Sequence, residues 1–133
     1  MSFISTMPLV AVLDDEANMR IALRRLLHPR GYEVVLFEKG QELLDACTTS
    51  EIACIILDLH MPGMNGFEVL EHLAGRNNPP PVIVVTGHDQ AGNAERVSLL
   101  GCRAYFTKPV DGPPLLETLQ QLIRPQGSKG KPQ

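Results

Sequence analysis

Ile52-Ala-Cys-Ile-Ile-Leu57-Asp58 is an apolar run that ends on a carboxylate. A strand that is apolar at every position has no face to give to water. It must be covered on both sides, as happens in a parallel sheet with helices above and below. The same shape recurs along the chain. Leu9-Val-Ala-Val-Leu13 stops at Asp14-Asp15, Pro81-Val-Ile-Val-Val-Thr86 ends in a hydroxyl, and Ala104-Tyr-Phe106 leads into Lys108-Pro109. Glu33 to Phe37, rich in β-branched and aromatic residues, reads as one more strand.

Helical patterns fill the intervals. Met19, Ala22, Leu23, Leu26 and Leu27 recur at i, i+3, i+4, i+7, i+8, and the helix they predict should stop near His28, before Pro29 and Gly31. Gln41 to Cys47 predicts a short helix with Leu43, Leu44 and Cys47 on its apolar side, and Gly66 to Ala74 another that buries Phe67, Leu70 and Leu73. A weaker pattern covers about Gln90 to Leu100, with Gly92 in its first turn. Leu115, Leu116, Leu119, Leu122 and Ile123 mark a last helix, with Pro113 and Pro114 at its start, where a missing N–H costs nothing. Strand-helix alternation implies parallel crossovers. The expected fold is α/β: a doubly wound five-stranded parallel sheet with helices on both faces. Residues 1–8 read as a lead, 9–123 as the domain and 124–133, with Pro125, Gly127, Gly130 and Pro132, as a flexible tail.

Composition narrows the function classes. At 133 residues and 14.6 kDa the chain fits one domain. Hydrophobic residues at 44% and charged ones at 20% describe a globular chain rather than a disordered one. Twelve Lys and Arg against fifteen Asp and Glu give a charge of −3, and the pI is 5.8, so no basic face is on offer for direct nucleic-acid binding. Cys47, Cys54 and Cys102 are odd in number and lack CxxC spacing, which favours reduced core thiols over a disulfide framework or a zinc ribbon. The first eight residues lack the basic and apolar regions of a secretory signal, and no apolar run approaches the roughly 18 residues needed to cross a membrane. A cytoplasmic location is the expectation.

In an open parallel sheet ligands bind beyond the carboxyl ends of the strands. Asp14, Asp15, Asp58, Thr86 and Lys108 all stand at such ends, so three carboxylates, a hydroxyl and an ammonium should converge on one edge. Clustered carboxylates repel unless a cation joins them, and oxygen-only ligands favour a hard ion such as Mg²⁺. An ion of that kind beside a carboxylate, a lysine and a hydroxyl has the parts to hold a transferred phosphoryl group. A carboxylate can itself be the acceptor. The residues alone do not choose which one.

Asp14-Asp15, Asp58-Leu-His-Met-Pro-Gly-Met-Asn-Gly66, Thr86-Gly-His88 and Tyr105-Phe-Thr-Lys108-Pro109 together resemble the receiver domain of two-component response regulators, over about Leu9 to Ile123. The resemblance implies a flavodoxin-like fold of receiver type, with Asp58 taking a phosphoryl group from a phosphohistidine of a sensor histidine kinase or histidine phosphotransfer protein. It implies Mg²⁺, with Mn²⁺ as an alternative, bound by Asp15, Asp58 and the backbone carbonyl of His60, with Asp14 acting mostly through water. Lys108 would pair with the phosphoryl oxygens, its bond to Pro109 being usually cis. Thr86 would swing its hydroxyl onto the phosphate, and Tyr105 would turn inward behind it. His60 and His88 occupy positions that in the family line the mouth of the site and tune dephosphorylation; as plain residues they are two loop histidines. His28 and His72 read as surface helix residues.

Such a domain is a phosphoacceptor that assists its own phosphorylation and dephosphorylation rather than an enzyme, and the family commonly pairs as homodimers through the fourth helix, fifth strand and fifth helix. The competing reading is an aspartyl-phosphate phosphatase of the haloacid-dehalogenase type. That family expects an acid two residues after its nucleophile, where this chain has His60, and it expects a cap and a longer chain. A nucleotide- or flavin-binding module is disfavoured by the lack of a GxGxxG or GxxxxGK[ST] motif. No effector pattern follows within the sequence, so a stand-alone regulator and a receiver excised from a larger protein both fit.

Overall fold

A computed structural model describes residues 7–123. The expected tail at 124–133 and residues 1–6 of the lead lie outside the described residues. Among the described residues five strands form one parallel sheet: β1 (Leu9–Leu13), β2 (Glu33–Phe37), β3 (Cys54–Leu57), β4 (Val82–Thr86) and β5 (Ala104–Thr107), in the order β2-β1-β3-β4-β5. The connecting helices are α1 (Ala17–Leu27), α2 (Gly40–Thr49), α3 (Gly66–Ala74), α4 (Asn93–Leu99) and α5 (Gly112–Leu122). Strand order reverses at β1, which opens a crevice above the carboxyl ends of β1 and β3.

The core is split by the sheet, as all-apolar strands demand. On one face Ala11, Leu13, Ile55, Leu57 and Val84 meet Leu43 and Leu44 of α2, Phe67, Leu70 and Leu73 of α3, and Val97 of α4. On the other, Val10, Val12, Ile56, Ile83 and Val85 meet Leu23 and Leu27 of α1 and Leu115, Leu116 and Leu119 of α5. Each fully buried Leu, Ile or Val in these layers stabilises the fold by about 1.5–3 kcal/mol before chain entropy is set against it. The strand edges that carry the site are therefore anchored from both sides.

Local differences from the sequence reading have local causes. The β3 ladder begins at Cys54 rather than Ile52, although the Ala53 amide still donates to the Leu9 carbonyl at 2.8 Å. β4 starts one residue after Pro81, which has no amide hydrogen to give a ladder. β5 runs one residue further than expected, to Thr107, and α2 is longer at both ends than Gln41 to Cys47. Helix α4 starts at Asn93 and not near Gln90, because Gly92 takes a left-handed φ of 88° and resets the chain direction. Ala22 is exposed, so the buried stripe of α1 is narrower than its periodicity suggested. A short 3₁₀ turn (His28–Arg30) extends α1, and Gly31 at φ 98° ends it. His28 and His72 are on the surface. The thiols are free, and burial pushes that of Cys54 up to about 12, far from a reactive thiolate.

Candidate functional site

The backbone ladder fixes the acidic residues before any side-chain contact is made. Leu13 pairs with Leu57, so Asp14 and Asp58 are the next residues on neighbouring strands. The Asp58 amide donates to the Leu13 carbonyl at 3.0 Å and the Asp14 amide to the Phe37 carbonyl at 3.2 Å. One carboxylate oxygen from each of Asp14, Asp15 and Asp58 lies within 4.8 Å of the others. Asp14 and Asp58 are buried and Asp15 is exposed. Behind Asp58 the chain turns into α3 through a capping box. The Asn65 side chain accepts from the Glu68 amide, and the Glu68 carboxylate accepts from the Asn65 amide. Gly66 is required at that turn, because a Cβ there would stand 2.5 Å from the Asp58 carbonyl oxygen and 2.7 Å from the Leu59 Cα.

Lys108 arrives from the far side. Its amide donates to the Thr86 carbonyl at 2.8 Å, and its bond to Pro109 is cis. The ammonium lies 2.8 Å from Glu16, 2.9 Å from Asp14 and 3.4 Å from Asp58. Burial alone would lower the Lys108 pKa. Hydrogen bonds to Glu16 and Asp14, with the charges of Asp14 and Asp58, outweigh it and raise the pKa well above the usual lysine range. The Asp14 pKa is raised too, but here by burial itself, with the Glu16 amide and Lys108 opposing it. The Lys108 hydrogen bond lowers the exposed Glu16. Gly87 leaves room beside this chain, a Cβ there falling 3.6 Å from the Lys108 Cδ, an ordinary contact.

Thr86 is fully buried, and its Oγ1 accepts from the His88 amide at 3.2 Å. Tyr105, half-buried on β5, donates its hydroxyl to Asp89 at 2.8 Å, so it faces the surface side of the β4–α4 loop. Burial first, and this bond second, raise its pKa. Asn93, a buried polar residue opening α4, donates to the His88 carbonyl at 3.2 Å. His60 and His88 meet across the mouth with ring centroids 4.4 Å apart, at 54°. The His60 amide donates to Asp58 Oδ1 at 3.3 Å. The two imidazoles border a cavity of about 460 Å³, lined also by Leu59, Met61, Pro62, Asn65 and Phe67. The two rings are therefore tilted neighbours at the mouth, His60 half-buried and His88 exposed.

The edge thus collects Asp14, Asp15, Asp58, Lys108 and Thr86 as the sequence reading expected, while Tyr105 stands behind Thr86's strand with its hydroxyl outward. Glu16 was missed. An acid just ahead of a helix reads as an ordinary N-terminal residue, and no spacing rule points it toward a lysine so far along the chain. The three aspartates form, among the described residues, the one group of three or more such ligands able to share an ion. Oxygen donors alone, with two carboxylates buried, fit Mg²⁺ better than a softer metal.

Residues 10–120 match the family model of the response regulator receiver domain. The chain is 33% identical over 115 residues to the transcriptional regulatory protein FixJ of Bradyrhizobium diazoefficiens, covering 86% of this chain and 56% of FixJ. It is 32% identical over 120 residues to the polar-differentiation response regulator DivK of Brucella ovis, covering 89% of this chain and 97% of DivK. Among solved structures it resembles the response regulator TrrA of Thermotoga maritima in complex with Mg²⁺-BeF. The TM-score there is 0.79 at 28% identity, covering 88% of this chain and all of that one. The chain thus spans about half of FixJ but nearly all of DivK. With the sheet order and the strand-end carboxylates already in place, the match over most of its length means that the chain belongs to the response regulator receiver domain family.

Proposed function

We propose that Asp58 is the phosphoacceptor of a two-component or phosphorelay signalling step, taking a phosphoryl group from a phosphohistidine of a sensor histidine kinase or phosphotransfer protein. The observation that carries this reading is the convergence of three aspartates within 4.8 Å, with the Lys108 ammonium 3.4 Å from the Asp58 carboxylate. In the transfer an Asp58 carboxylate oxygen forms a bond to phosphorus as the phosphorus–nitrogen bond of the donor breaks, and the released imidazole takes up a proton. Asp14, Asp15 and Asp58, with the backbone carbonyl of His60, would hold Mg²⁺ or Mn²⁺, which when bound supplies fixed positive charge against the phosphoryl oxygens. Lys108 neutralises a further share of that charge from the opposite side. The chain is thereby a self-assisting acceptor, not an enzyme acting on a separate substrate.

The hydrogen bonds of the β4–α4 loop support a switch. Thr86 must release the His88 amide to turn its hydroxyl onto a phosphoryl oxygen, and His88 is tied through its carbonyl to Asn93 at the head of α4. Tyr105 is tied to Asp89 on the same loop, so a shift of that loop frees it to turn inward. The face that would change is α4, β5 and α5, where Leu99 is 89% exposed and available to a partner or a second copy. His60 and His88, at the mouth, would tune the lifetime of the phosphoryl group. Free thiols at Cys47, Cys54 and Cys102 suit a reducing cytoplasm. The reading takes residues 9–123 as the working unit.

Beryllofluoride with Mg²⁺, which mimics the phosphorylated state, tests the switch by NMR. The parent should shift at Asp58, Thr86, Tyr105 and along α4. Thr86→Ala should bind the mimic yet lose the α4 shifts, a coupling of about 1–3 kcal/mol. Unchanged α4 shifts in that variant contradict the relay.

A further inference from the structure

Among the described residues Lys108 has three carboxylate partners, but only Asp14 and Asp58 belong to the group that can share an ion. The third, Glu16, makes the shortest of the three contacts, 2.8 Å. Its position is unusual for what its side chain does. Glu16 is the N-cap of α1, yet it makes no side-chain cap bond and instead crosses to a lysine 92 residues away. Any cation shared by Asp14, Asp15 and Asp58 competes with Lys108 for the first two of its partners. Glu16 is outside that competition.

We propose that Glu16 is a positioning residue that latches the Lys108 ammonium at the mouth of the site in the resting state, so that an incoming phosphoryl group must displace it. The proposal rests on the receiver reading of Asp58 and deepens it. Glu16 is 63% exposed at its side chain and Lys108 16% exposed, so one end of the latch is held in the site and the other is open to water. Such a contact is weak enough to break and strong enough to bias the ammonium. Releasing the latch should therefore speed phosphoryl uptake, because Lys108 becomes available to the developing phosphoryl charge.

The test is a rate cycle with acetyl phosphate and Mg²⁺ on four proteins: the parent, Glu16→Gln, Lys108→Ala and the double variant. Glu16→Gln should take up the phosphoryl group about two- to five-fold faster than the parent. The same substitution in the Lys108→Ala background should change the rate little, since there is no ammonium to release. An equal gain in both backgrounds would mean that Glu16 acts only as through-space charge, and no gain in the parent background would mean that it holds nothing; either overturns the latch. Hydrogen exchange at the Lys108 Nζ, read by NMR, gives a second measure: it should quicken in Glu16→Gln, and unchanged exchange overturns the contact itself. A parent that takes up no phosphoryl group overturns the receiver reading, and the latch with it, whatever the exchange shows.

Discussion

The two halves of the site are built to different standards. The acidic half hangs from β1 and β3, whose residues are almost all buried, and it turns into α3 through a closed capping box and a glycine wedged against the Asp58 backbone. The other half hangs from β4, buried as fully as β1 and β3, and from β5, which is only half-buried, and it leads into α4. That helix has seven residues, starts on a left-handed glycine without a side-chain cap, and buries only Asn93 and Val97. Chemistry needs carboxylates held to fractions of an ångström, whereas a switch needs an element whose alternatives lie within a few kcal/mol. The rigid half suits the first requirement and the loose half the second.

Two glycines give the sharpest contrast between the halves. Gly66→Ala drives a methyl group to 2.5 Å from backbone oxygen that cannot move without moving Asp58. It should cost about 2–3 kcal/mol in a urea melt and weaken Mg²⁺ binding at the same time. Gly92→Ala meets nothing within 4 Å and carries only the strain of a φ of 88°. It should cost about 1 kcal/mol and leave Mg²⁺ binding unchanged. Equal costs, or a loss of Mg²⁺ binding in Gly92→Ala, would erase the distinction.

A smaller effect of opposite sign is expected at Asp58. With carboxylate oxygens no more than 4.8 Å apart and an effective dielectric of about 20, the buried Asp14 and Asp58 repel by roughly 3 kcal/mol or more. The Lys108 contact at 3.4 Å offsets part of that repulsion. Asp58→Asn should therefore stabilise the metal-free protein by about 1 kcal/mol. The same change removes an ion ligand, so excess Mg²⁺ should raise the stability of the variant far less than that of the parent. Melts of both proteins in EDTA and in Mg²⁺ separate the two effects. A variant less stable than the parent in EDTA, or one that gains as much from Mg²⁺, would show that the three aspartates share no cation.

The rigid half was also the more legible in sequence, and for the same physical reason. Strands buried on both faces must be apolar throughout, so the points where Leu13 and Leu57 give way to Asp14 and Asp58 are visible without a structure. Strand β2 and helix α3 fall at the expected residues because propensity, periodicity and capping agree there. In the loose half they disagree. The periodicity from Gln90 onward suggests a longer helix, and Gly92 overrides it. Glu16 escaped because its role is a single long-range contact, with 92 residues between the partners, that leaves no local pattern. The facing of His60 and His88 was hidden for the same reason.

Intact-mass measurement after incubation with acetyl phosphate and Mg²⁺ tests the assignment of Asp58 most directly. The parent should gain one acid-labile phosphoryl group, lose that gain in EDTA, and show none as Asp58→Asn. A parent that gains nothing, or an Asp58→Asn variant that gains as much as the parent, would contradict it.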